Sequence, residues 1–428
     1  MTSPRLTVAA DDLDLARYIR EGDRLIWGEA AGEPLTLTET LIRQRASLGR
    51  VEVFLGACFS STFSAEHADH IRFSSYGAIG TARRLAAGGV LAVIPCHLSH
   101  VAPLIERGTI GCDIAFVQVA PADSQGRHSY GVVNDYIQAA VARARLVIAE
   151  INDRVPQTVC DAYLDAGRID VAIHSSRPVV AVPPASCGPV EMAIARHVAR
   201  YVEDGSTLQT GVGKIPDAVF QNLVDCRDLG IHSGAVGDAL VTLVEQGVVT
   251  NARKPIDTGV SIAGTLIGSQ RLYDFADRNP LLRLETSRHT HDPHVLGRLP
   301  RFVAINSAIE VDITGQVNAE MAGDCYIGGS GGQGDFQRAS QHSEGGRGII
   351  ALPSTARRSA SRIVAALSGP ATLGRADADI VATEYGSAEL RGQPLAERAR
   401  RVIAIAHPDH REDLARSAAK LMRGEVGL

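Results

Sequence analysis

The stretch 204-DGSTLQTGVGKIPDAV-219 carries the first decision about the fold, because it reads as a strand, a tight glycine turn and a helix beginning near Pro216. Proline suits the first turn of a helix, where its missing N–H costs nothing. The amides of Gly211, Val212 and Gly213 then point outward beside a positive helix end, ready to hold a phosphate or an oxyanion. A plain tight turn is the competing reading, since GxG alone is a weak pattern. Outward from this unit, VEVFLGA, GVLAVIP, DIAFVQVAP and ARLVIAEIN precede it, and RFVAINSAI, GIIALPS and DIVATEYG follow it. Runs that are apolar on both faces fit strands buried in mostly parallel sheets, and their alternation with stretches such as EMAIARHVARYVED implies an α/β protein. Prolines and small residues in 176-SRPVVAVPPASCGPVEM-192 separate two such halves. Two domains are therefore expected, residues 1–186 and 187–428.

The composition agrees with two sizeable cores: 428 residues, 45% apolar and 21% charged. The net charge of −5 is interspersed rather than blocked, so nothing marks a nucleic-acid partner or an anionic membrane surface. No run approaches the roughly 18 apolar residues that a membrane helix needs. The polar, acidic N-terminus does not read as a signal peptide, and a cytoplasmic location is expected. Seven cysteines at scattered spacings, with no CxxC pair, read as reduced and mostly buried thiols rather than metal ligands.

A second glycine cluster, GGSGGQGDF from Gly328 to Phe336, lies between IEVDITGQVNAE and the strand-like GIIALPS. A loop inside a domain with this much glycine points to close backbone approach, the alternative being a mobile surface loop. Gly331 and Gly332 offer amides to a developing oxyanion, while Gly329, Gln333 and Asp335 are candidates to anchor the loop or a ligand. No GxGxxG opens a βαβ unit with an acid about 20 residues on, which disfavours a dinucleotide-dependent dehydrogenase.

Taken with 228-DLGIHSGAVGDALVTLVEQGVVTN-251, RLYDF, VDITGQVNAE, GIIALPSTA, TEYG and RARRVIAIAHPDHRE, the two glycine elements resemble those of the acetyl-CoA hydrolase/transferase family. EPLTL, SYGAIG, DIAFVQVAPADSQGRHSYG and AEIN extend the resemblance over the N-terminal half. It implies two α/β domains of the class I CoA-transferase type facing each other across a cleft, assembled as a homo-oligomer. It also implies an enzyme acting on acyl-CoA and free carboxylates, with coenzyme A as substrate and no permanently bound cofactor or metal. In such enzymes a glutamate carboxylate attacks the thioester, and the resulting acyl anhydride is reactive enough for CoA thiolate to reopen it. The oxyanion donors map to Val212 with Gly213 and to Gly331 with Gly332. Lys214 and Arg357 are the bases expected to meet CoA phosphates. Ser60, Ser61, Tyr76 and His232 are expected around the acyl or carboxylate moiety.

One departure stands out: the family's nucleophilic glutamate falls on Gly234, and no carboxylate lies between Leu229 and Gly237. Three readings stay open. Another carboxylate enters the cleft, from Glu29 or Glu33 in the first half or from Glu320 or Glu285 in the second. Alternatively, the glycine leaves space for a water or a second substrate, with His232 and Ser233 flanking it, giving hydrolysis or direct transfer. In the third reading the chain binds CoA esters without turning them over. Beside Glu285, His289 and His291 are expected to alternate on an extended chain next to Asp292, as a base, a carboxylate-binding cluster or a polar strand end.

Overall fold

A computed structural model describes residues 3–422. The expected strands form two large sheets. The first has eight strands, all parallel, in the spatial order Leu6–Thr7, Val171–Ser175, Leu146–Asn152, Ile114–Val119, Arg24–Trp27, Val51–Leu55, Ile71–Ser75 and Leu91–Val93. Ile114–Val119 is buried at every position, as a central strand covered on both faces must be. The second sheet has nine strands: Gly386–Glu389, Ile380–Thr383, Arg347–Ala351, Phe302–Ser307, Thr207–Thr210, Gly230–Val236, Ser261–Leu266, Leu282–Leu284 and Val159–Cys160. All of its pairs are parallel except the edge strand Gly386–Glu389.

Chain order within each sheet locates the functional face. From Arg24–Trp27 the first sheet grows outward through Val51–Leu55, then resumes on the other side with Ile114–Val119. The second sheet does the same around Thr207–Thr210, with Phe302–Ser307 on the far side. In open parallel sheets ligands sit beyond the carboxyl ends of the strands at such a reversal. Here the residues following Trp27 and Thr210 occupy those positions, namely Glu29 and the glycine turn.

The halves are knitted together. Val159–Cys160, from the first half of the sequence, pairs in parallel with Leu282–Leu284 as the last strand of the second sheet. Asn134 donates its backbone N–H to Gly264 (2.8 Å), and Leu266 donates to Val132 (2.8 Å). One buried apolar cluster runs from Ile26, Val117 and Ala149 to Leu208, Ile231 and Ala263, so both sheets share a core. The segment 176–188 has no regular structure before the helix Pro189–Ala199, and a division near residue 186 is the one we propose. The cysteines are free; Cys58, Cys112 and Cys160 are buried, and Cys325 is exposed on a short hairpin.

Candidate active site

The glycine turn closes the strand Thr207–Thr210 and leads into the helix Lys214–Gln221, which begins two residues before Pro216. Gly213 caps that helix at φ +120°, a conformation only glycine adopts readily, and it explains why the turn carries glycine there. Side chains at Gly211 or Gly213 would meet no atom within 4 Å, so both amide-bearing residues border open space. Lys214 is exposed at the helix start, where the positive end of the dipole also lies. The side chain of Arg357 lies outside the described residues.

The second glycine element is not a free surface loop. Ala78 donates to the Gly328 carbonyl (2.7 Å), Leu98 to the Gly331 carbonyl (2.9 Å), and Ser330 Oγ to the Cys96 carbonyl (2.5 Å). Gly77 and Gly329 pair as an antiparallel bridge whose backbones approach too closely for a Cβ on either. Asp335 accepts from Ser99 Oγ (2.8 Å), and Gln333 Nε2 donates to the Ser307 carbonyl (3.1 Å), which ties the helix Gln333–His342 to the end of a central strand. Glu320 accepts from Thr372 Oγ1 (2.8 Å) and Tyr326 (3.1 Å), while its carbonyl takes the N–H groups of Ile327 and Gly328. Each of its oxygens is thus committed to holding the loop.

Glu29 reaches the interface between the sheets. It accepts from the Tyr76 hydroxyl (2.6 Å) and the Ala57 amide (3.1 Å), and the Asp135 carboxyl is its buried neighbour. Asp135 also takes a short hydrogen bond from Thr265 on the second sheet. Burial, and for Asp135 the neighbouring Glu29 as well, pushes both carboxyl groups up from their ordinary range, because two buried carboxylates in contact resist ionising together. Asp135, which the sequence reading did not single out, therefore forms an acid pair with Glu29. Tyr76 is buried and committed to Glu29, and Ser60 donates to Glu33 (2.6 Å). Ser60 and Ser61 line a separate hollow with Phe59, Thr62, Arg84 and Arg177.

Gly234 lies within the buried strand Gly230–Val236, and the imidazole of His291 fills the volume beside it. A Cβ on Gly234 would stand 2.8 Å from His291 Cε1 and 2.9 Å from Nε2; one on Gly332 would stand 2.5 Å from the same Nε2. The ring packs against Phe336, centroids 4.4 Å apart, and burial pushes the His291 pKa down to about 3. The expected extended chain is corrected here: Ser287–Thr290 is a helical turn, because Asp292 caps the next helix by accepting from His294 and Val295 and turns the chain at His291. That turn sends the two histidines to different places. His289 Nε2 meets Asp257 (2.8 Å), which also pairs with Arg283. His232 is buried, with Nε2 on the His289 carbonyl (3.2 Å), and burial followed by the Lys254 charge lowers its pKa to about 3. Although ring nitrogens of His232 and His289 and an Asp257 oxygen lie within 4.8 Å of one another, Arg283 already neutralises Asp257. Asp257 is thus committed to Arg283 and His289. The buried Lys254, held by the Ile231 and Val260 carbonyls, stands nearby, so the donor set is an ion-pair network that does not suit a metal.

Comparison with known proteins follows the same geography. Models of the acetyl-CoA hydrolase/transferase N-terminal and C-terminal domains match residues 9–184 and 268–418. A 4-hydroxybutyrate coenzyme A transferase of Clostridium kluyveri is 37% identical over 401 residues, covering 92% of this chain and 94% of that one. A succinyl-CoA:cyclohexane-1-carboxylate CoA transferase of Geobacter metallireducens is 33% identical, over 96% of this chain and 95% of the other. The crystal structure of RipA from Yersinia pestis superimposes with a TM-score of 0.92 at 32% identity, covering 97% of each chain. With both domains matched in order and relatives aligned over nearly the full length, the chain belongs to the acetyl-CoA hydrolase/transferase family.

Proposed function

We propose that this protein is a CoA-transferase that moves CoA between a short-chain or dicarboxylic acyl-CoA and a free carboxylic acid. The observation that carries the reading is the retention of two glycine elements at the carboxyl ends of adjacent central strands. One is the open turn Gly211–Gly213 after Thr210; the other is the clamped loop Gly328–Gly332, fixed to Ser307 through Gln333. Amides at such positions suit the oxyanion that forms when a thioester carbonyl is attacked, and one such donor is worth about 2.7–4 kcal/mol. Val212, Gly213, Gly331 and Gly332 are the donors in this reading; Gly211, Lys214 and Gly329 line the approach of CoA. Glu320 and Gln333 hold the loop rather than react. Coenzyme A is substrate, and the protein works in the cytoplasm as a homo-oligomer.

The test incubates purified protein with acetyl-, butyryl- and succinyl-CoA, with and without a free acid, and follows acyl-CoA species by mass. Acceptor-dependent appearance of a new acyl-CoA supports transfer, whereas release of free CoA without acceptor assigns hydrolysis. CoA binding without any turnover would reject both activities.

A further inference from the structure

We infer that His291 Nε2 is the nucleophile of this site, standing in the volume that a side chain at position 234 would occupy. The inference rests on the CoA-transferase reading and says how that reaction runs without a glutamate at this position.

Two glycines make room for the ring: a Cβ at Gly234 would stand 2.9 Å from Nε2 and one at Gly332 2.5 Å. Both belong to the elements that frame the site, so the imidazole sits between the strand Gly230–Val236 and the oxyanion loop. Its orientation is fixed by packing against Phe336 and by Thr290 Oγ1, 2.8 Å from Nδ1. In the proposed tautomer Nδ1–H donates to Thr290 Oγ1, whose own proton goes to the Thr286 carbonyl (3.2 Å). That tautomer leaves the lone pair on Nε2, which faces Gly234 and Gly332. Burial keeps the ring unprotonated through the neutral range. An uncharged imidazole attacks a carbonyl without first losing a proton, and it is also a good leaving group.

The chemistry balances without another reactant. Nε2 attacks the thioester carbonyl, the C–S bond breaks, and CoA leaves as thiolate from an acyl-imidazolium. A carboxylate oxygen of the acceptor then attacks the acyl carbon, breaking the C–N bond and giving a mixed anhydride with neutral His291. CoA thiolate adds to the acceptor's carbonyl, the C–O bond breaks, and the donor acid departs as carboxylate. Each intermediate keeps the acyl group activated, so the thioester's energy is carried through as it is with a glutamyl anhydride.

The experiment uses the full-length protein with whichever acyl-CoA it turns over, acid-quenched within the first turnover and mapped by peptide mass. The acyl group is expected on His291, within the tryptic peptide 289–298. His291→Asn and His291→Ala are expected to lower exchange by at least about 100-fold while CoA binding and circular dichroism stay near wild type. Acylation of a carboxylate or of His289, or an Asn variant that exchanges within about threefold of wild type, overturns the assignment and leaves the transferase reading standing. Absence of exchange in the wild-type protein overturns the transferase reading itself, and this inference with it.

Discussion

A methyl group on Gly234 would press on the His291 ring from 2.8 Å, and Phe336, packed against that ring, would stand 3.5 Å from it. Gly234→Ala is therefore expected to destabilise the fold by about 1–3 kcal/mol through overpacking, as read by denaturant unfolding. In a His291→Ala background the same change should cost much less, a coupling that a double-mutant cycle measures. Acid titration gives a second check at this scale. His291 and His232 fall from an ordinary value of 6.5 to about 3 in the folded protein, so the unfolded chain binds more protons between those pH values. Stability is thus expected to fall as pH drops from 6.5 toward 3, by about 1.4 kcal/mol per pH unit for each histidine. His291→Asn should remove about half of that slope; an unchanged slope would contradict the buried neutral ring. From the sequence, Gly234 was expected to stand where the family carries its glutamate, and His291 was named among possible bases. The sequence could not join them, because 57 residues separate the two positions and the helical turn at Ser287–Thr290 that brings them together has no apolar periodicity to betray it.

Among the elements, the strand and turn at Thr207–Gly213 make the sharpest demand on sequence. Gly213 holds φ +120° with open space around its Cβ position, so Gly213→Ala suffers backbone strain and no steric clash. About 1–3 kcal/mol of stability should be lost, and exchange should fall about 10²–10³-fold if the turn's amide is an oxyanion donor. Stability loss with undiminished exchange would remove the turn from the reaction. The strands themselves were readable because parallel strands covered on both faces are written as near-continuous apolar runs, as in Ile114–Val119 and Leu146–Asn152, each broken only by buried polar residues. Short edge pieces such as Val159–Cys160 carry too few residues for any pattern, and their pairing is decided by the distant strand Leu282–Leu284. The anchoring of the Gly328–Gly332 loop was equally hidden, since backbone carbonyls and amides make most of its bonds.

At the scale of the molecule, two parallel sheets meet through the carboxyl ends of their strands, and the acid pair Glu29–Asp135 lies on that seam with Thr265. Both carboxyl groups are raised by burial, so the folded protein holds a proton that the unfolded chain releases above the ordinary carboxylate range. Stability from this pair is fully present at low pH and is lost as pH rises through the raised values, at about 1.4 kcal/mol per pH unit for one proton. Glu29→Gln should flatten that loss in unfolding titrations above the ordinary carboxylate range; an unchanged or steeper loss in the variant would contradict the raised Glu29 carboxyl. Glu29 was in view from its place after a strand and before glycine, whereas Asp135 was not, because only the docking of Val132–Tyr136 against the second sheet gives it a partner.

Oxygen tracing separates transfer that uses no enzyme carboxylate, as His291 requires, from the glutamyl and hydrolytic routes. With the acceptor acid labelled in both carboxylate oxygens by ¹⁸O and enzyme in excess over acyl-CoA, transfer through His291 sends one ¹⁸O from the acceptor into the released donor acid during the first turnover. Donor acid that instead gains an unlabelled oxygen, whether from an enzyme carboxylate or from water, would contradict the account.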